Sequence, residues 1–329
     1  MGEENRIEGN KPERSEPEQN SPESSPGKNV VPPYAIALVV LLLLIGAAVA
    51  YWFMAGSGRR DLPREKGPVR VLMVGNGLLI TNDIPNMVRM IGSSKDEKHP
   101  LEVTSVAVEG FSLSQHLGEK SALKCLSEAG EEDHFDYVVL QPERDALLAE
   151  PYDHLQAVRE FGREAKKSGA RIVLLMPWAD RGEDGRQAVV SAVCRRLSQR
   201  LAIEVAPSGD VLFEASRRYP ELKIFEEDNH HASQIGAWLV ASSVYSVVTG
   251  RRSAADRNLV AYDYGDARIP FVDIAASQEN DLTDMVFRQV ERDNRAFHLG
   301  MQERQVNPTS VLKTAPDRRK KKSEKVDQE

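Results

Sequence analysis

Four polar stretches of the chain hold the residues able to do chemistry. Asp228 and His231 stand in DNHHASQIGAWL, Asp228–Leu239. An Asp placed just before a His on one loop can accept the imidazole Nδ1–H. That fixes the tautomer and leaves Nε2 as a general base. The same stretch also reads as an exposed polar loop in which Ser233 or Asp228 caps the next helix. Asn76 and Gly77 stand in GNGLLITNDIP, Gly75–Pro85, directly after the apolar run Val71–Val74. A strand ending in small residues and opening into a helix is where open α/β sheets hold ligands. Gly110, in VEGFSLSQH (Val108–His116), can offer a backbone N–H to an oxyanion or simply make a tight turn. The fourth stretch, DYVVLQPERD (Asp136–Asp145), contains Gln141. His230 beside His231 invites a metal reading. No second His or acidic cluster follows at ligand spacing, so neither a metal nor a cofactor is expected. Cys125 and Cys194 sit inside helical patterns and read as buried small hydrophobes, with no disulfide framework.

These residues need a frame that brings four distant stretches together. From Arg70 onward, short apolar runs alternate with helical patterns. Strands are predicted at Arg70–Val74, Val103–Val108, Tyr137–Gln141, Ile172–Met176 and Ile203–Ala206. Helices are predicted at Ile84–Ile91, Ala122–Ala129, Leu155–Lys167, Gln187–Leu201, about Gly209–Arg218, and Ser233–Val248, with Gly250 as the last helix's stop. This alternation predicts an α/β fold of flavodoxin-like layout. It has three layers, α/β/α, around a parallel sheet of about five strands.

In this order the four stretches resemble the conserved blocks of the SGNH/GDSL hydrolase superfamily. The nearest likeness is to a branch whose first block reads GNS-x-T-x-x-N-D-[LI]-P. The likeness spans about Arg70–Gly250, and MPWAD (Met176–Asp180) also resembles that branch. It implies an SGNH-hydrolase-like domain over 70–252, with Asp228 and His231 as the remaining catalytic dyad. Asn76, Gly110 and Gln141 would be the oxyanion or binding groups. The family's nucleophilic Ser falls on Gly77, which has no side chain. The resemblance therefore implies an esterase-like domain that is inactive or impaired and keeps a cleft for an acyl-ester or carbohydrate ligand. An alternative is an active esterase or acyl hydrolase using Ser112, Ser114 or a water activated by His231. A further alternative is a structural membrane scaffold.

The flanks carry a different message. The chain has 329 residues, 41% hydrophobic, with a formal net charge of -7, and nucleic acid is not an expected partner. Residues 1–32 are polar and Pro-rich and read as a disordered tail. No charge occurs between Lys28 and Arg59, and Ala35–Met54 is long and apolar enough to cross a bilayer. We expect a single-pass transmembrane helix over 34–56, contacting lipid through 35–54, followed by a linker over 57–69. Arg59, Arg60, Arg64, Lys66 and Arg70 favour a cytoplasmic domain; the family resemblance favours an extracytoplasmic one. Residues 253–305 read as a peripheral extension with a helix at Asp281–Arg292. Residues 306–329 read as a basic disordered tail able to meet anionic lipid.

Overall fold

The structure is a computed structural model, and it describes residues 67–93, 100–130, 133–253, 261–264, 267–270, 272 and 274–306. All of these lie in the unit Gly58–Glu329. Among them no helix is long and apolar enough to cross a membrane. The tail 1–32, the span 34–56, most of the linker 57–69, and 307–329 lie outside the described residues.

Five strands form one parallel sheet: β1 (Val69–Gly75), β2 (Leu101–Ala107), β3 (Tyr137–Leu140), β4 (Arg171–Leu175) and β5 (Glu204–Ala206). Their order is β2-β1-β3-β4-β5, the flavodoxin-like order expected. Between the strands run α1 (Gly77–Ile80), α2 (Ile84–Ile91), α3 (Leu113–Glu119), α4 (Ser121–Glu128), α5 (Arg144–Ala149), α6 (Pro151–Lys167) and α7 (Asp184–Leu201). Then come α8 (Ser208–Arg218) and α9 (Gln234–Thr249). A small antiparallel pair follows, β6 (Ala261–Tyr264) and β7 (Ala267–Pro270), and then α10 (Ala276–Val306).

Alternation along β1 explains the layers. Val69, Val71 and Met73 enter one apolar core, and Leu72 and Val74 the other. A strand that is apolar on both faces can only sit inside the sheet, covered twice. The first core takes α2, α8, α9 and part of α10, and the second takes α4, α6 and α7. The 16 residues of α9 are apolar nearly all round, and 14 of them are buried. Its predicted stop holds: Gly250 takes φ +68° beyond the last turn.

Two expectations change. Helices α3 and α5 are not among the predicted helices, since each is short and opens straight from a site block; Ser112 and Gln115, which form a capping box at the start of α3, are its signal. The C-terminal helix is longer than 281–292, and it is not peripheral. Leu282, Met285, Val286 and Val290 are buried in the first core. Their spacing puts them on one face of α10, which closes over α9.

Gly236, in the first turn of α9, touches the chain before the Asp228 loop. A Cβ there would collide with the carbonyl oxygen of Ile224. Because the obstacle is backbone, it cannot swing aside. Gly236→Ala should cost about 1–3 kcal/mol of stability, read as a lowered urea midpoint. An unchanged midpoint would mean that α9 shifts freely.

Candidate active site

The carboxyl ends of β1, β2 and β3, together with the loop before α9, enclose a cavity of about 500 Å³. Asn76 and Leu78 line it from the β1 turn, Glu109 and Gly110 from the β2 turn. Ser112 and Gln115, Glu143–Ala146 and Glu150, then His230 and His231, complete the wall. This is the edge beside the switch point of a 2-1-3-4-5 sheet, where strands diverge and leave a crevice.

The β1 turn is held through one peptide unit. His116 Nε2 donates to the carbonyl of Gly75 at 2.8 Å, and the N–H of Asn76 donates to Gln141 Oε1 at 2.9 Å. His116 is fully buried, and burial pushes its pKa below the usual histidine range despite the hydrogen bond to Gly75. A neutral ring with its proton on Nε2 satisfies this contact. Gly75 must be glycine, because a Cβ would run into Gln141 and Leu79. Asn76 then caps α1, its Oδ1 accepting from the N–H of Leu78 at 3.1 Å. That leaves the amide's Nδ2 as its donor.

Gln141 does not reach the cavity. It is fully buried, its Oε1 takes the Asn76 N–H, and its Nε2 donates to the carbonyl of Pro142. It braces the turn rather than facing a ligand, which corrects the binding role the resemblance implied. Gly110 does line the cavity, with φ +70°, a conformation that favours glycine.

Asp228 and His231 are brought together as the spacing predicted. His231 Nδ1 lies 2.7 Å from Asp228 Oδ2, and Asp228 Oδ1 accepts the backbone N–H of both His230 and His231 at 2.9 Å. The bond with His231 does most to hold the Asp228 carboxyl down, at about 2 against an ordinary 3.8, and the backbone bonds add to it. The helix cap falls to Ser233, whose Oγ accepts from the N–H of Gly236. The two alternative uses of this stretch therefore coexist on different residues.

The loop itself is clamped from two sides. Trp178 Nε1 donates to the carbonyl of His230 at 2.8 Å, and Asn82 Nδ2 donates to the carbonyl of Ala232 at 2.9 Å. Asn82 does this from the left-handed region, φ +58°, which Asn tolerates better than most residues. Trp178 and Asn82 lay in stretches quoted for their resemblance, but nothing local marked them as supports for the histidine loop.

A second charged set, missed in the sequence, sits beside the dyad. Arg144 is almost fully buried; it donates to Asp180 at 2.6 Å and to Asp145 at 2.9 Å. Burial opposes its charge, but the two carboxylates outweigh burial and raise its pKa. Asp180 also accepts from His230 Nδ1 at 2.8 Å. Burial would raise the Asp180 pKa, yet His230 and Arg144 bring it below the usual range. The adjacent histidines thus face separate carboxylates. Among the described residues no group of three or more His, Cys, Asp or Glu is placed to hold a metal ion.

Gly77 is buried between the two lining residues Asn76 and Leu78, and the space over it is occupied. An ideal Cβ on Gly77 would lie 2.6 Å from the carboxyl carbon of Glu109 and closer still to both its oxygens. Glu109 carried no sequence signal, since a lone acid in a loop is ordinarily a solvated group.

No known protein family's pattern matches this chain, and no curated protein matches it. It is similar to several solved structures. A protein from Slackia heliotrinireducens, provisionally described as an SGNH hydrolase, is 21% identical, with TM-score 0.47 over 54% of this chain and 98% of that one. The acetyl xylan esterase AlAXEase is 17% identical, with TM-score 0.44 over 55% of this chain and all of that one. A member of the lipolytic G-D-S-L family from Veillonella parvula is 15% identical, with TM-score 0.42 over 54% of this chain and 97% of that one. Scores and identities this low assign no activity. The fold stands on the strand order and the two cores.

The pH dependence of the dyad has a definite sign. Asp228 has a depressed pKa in the folded chain, so its stabilising contribution is present above the unfolded value near 3.8. That contribution is lost as pH falls towards about 2. Thermal midpoints measured between those limits should fall more steeply for the native chain than for Asp228→Asn. Parallel curves would show that the carboxylate is not engaged with His231.

Proposed function

We propose that this domain is an SGNH-hydrolase-like binding module, impaired as an esterase, that takes an acyl-ester or carbohydrate ligand at the Asp228–His231 cavity. One observation carries the reading. His231 is held by Asp228 as a general base would be, while Gly77 supplies no hydroxyl for it to activate. Losing one member of such a set costs orders of magnitude in rate and leaves binding groups in place. Residues 35–54 would tether the module to a membrane.

A second reading is an active ester hydrolase built on Ser112 or on water. Ser112 favours it, since it lines the same cavity. Its Oγ accepts from the N–H of Gln115 in a helix cap, and the hydroxyl proton is not used there. Ser114 is exposed and does not line the cavity.

A serine-reactive fluorophosphonate separates the two. The native chain should stay unlabelled, and p-nitrophenyl acetate should turn over no faster than with His231→Ala. Labelling lost on Ser112→Ala, or turnover reduced by about 100-fold or more in His231→Ala, would favour the active enzyme instead.

A further inference from the structure

The space above Gly77 is where any side chain at that position would begin. In this chain both oxygens of the Glu109 carboxylate lie against that point. The two residues come from different strand ends, Gly77 after β1 and Glu109 after β2, and the register Gly75↔Ala107 sets the two turns side by side. Neither residue explains the other in sequence. Together they are complementary, one lacking a side chain where the other places its own.

Several other acceptors on the cavity wall are already engaged, while the Glu150 carboxylate, at the start of α6, has no hydrogen bond among the described residues but is not placed over Gly77. Both oxygens of Glu143 cap α5, accepting from Asp145 and Ala146. Asp145 is paired with Arg144 and Arg186. Gln115 Oε1 takes the N–H of Ser112. Glu109 has no hydrogen bond or ion pair among the described residues, and it is exposed. An uncommitted carboxylate therefore lines the dyad cavity over Gly77.

We propose that Glu109 stands in for the missing nucleophile as the group that meets the ligand. The cavity accepts a hydrogen-bond donor, such as a polyol hydroxyl, where a serine hydrolase accepts an acyl carbonyl. The inference rests on the binding reading above and names its ligand class. An ionised carboxylate has no donor to offer, so a carbonyl oxygen placed against it meets a second acceptor. A hydroxyl placed there donates to a charged partner, a bond about twice as strong as a neutral one. Gly77 is what allows the carboxylate into this position.

Two measurements test this on the purified chain. The first is saturation-transfer NMR with glycerol and triacetin, which share a skeleton but present hydroxyls in one case and ester carbonyls in the other. The native chain should prefer glycerol. Glu109→Ala and Glu109→Gln should each shift the preference towards triacetin by about tenfold or more, Gln because its amide can donate. An unchanged ratio, including no binding of either probe, overturns the proposal. A shift with Ala alone also overturns it, since space rather than donor character would then decide. The second is fluorophosphonate labelling of Gly77→Ser with and without Glu109→Ala. The carboxylate is the flexible end of an exposed side chain, so both variants should keep the native unfolding midpoint. The introduced hydroxyl attacks phosphorus, fluoride leaves, and His231 takes the proton. The double variant should label about tenfold faster or more than Gly77→Ser alone. Equal rates, or no labelling of either, overturn the proposal while leaving the binding reading intact. Labelling of the unaltered chain would instead remove the binding reading itself.

Discussion

The peptide unit between Gly75 and Asn76 is gripped from both sides, and the site is arranged around that grip. A buried neutral histidine, His116, takes hold of its carbonyl, and a buried amide, Gln141, takes hold of its N–H. One partner lies in α3, which follows β2, and the other just after β3, so the segments after β1, β2 and β3 are tied at one point. Where backbone groups are buried they must find partners. Here the partners also set the position from which Asn76 and Leu78 line the cavity.

From that point the rest of the site is built by mutual support. Asn82, one short turn further on, reaches across to the carbonyl of Ala232 and holds the start of α9 against the first block. Trp178, fully buried, holds the carbonyl of His230 from the end of β4. The Asp228–His231 pair is therefore not a free loop feature. Its backbone is fixed by two donors, and its imidazole by a carboxylate that also accepts two backbone N–H groups. The buried Arg144 set beside it has a different logic. A cation removed from water needs charge partners, and Asp145 and Asp180 supply them.

A histidine–carboxylate pair and a carboxylate laid over a glycine belong to the same end of the sheet. His231 is oriented by Asp228, and the Glu109 carboxylate occupies the space over Gly77. On that combination rests the proposal of binding rather than turnover.

Periodicity alone determined the alternating α/β pattern, because strands covered on both faces leave continuous apolar runs such as Val71–Val74. Spacing determined the Asp228–His231 pair, because both partners lie on one short loop and need little else to meet. Gly77 stood out only through the resemblance of its stretch to a family motif. What the sequence could not show are relations between residues far apart in the chain. Gln141 became a brace rather than a ligand donor, because burial under the β1 turn uses both ends of its amide. Helix α10 became part of the core, because α9 needed a cover on its remaining face. Glu109 gained its meaning from lying over Gly77, a proximity set by the pairing of β1 with β2. Only tertiary structure decides which side chain fills the space that a glycine leaves open.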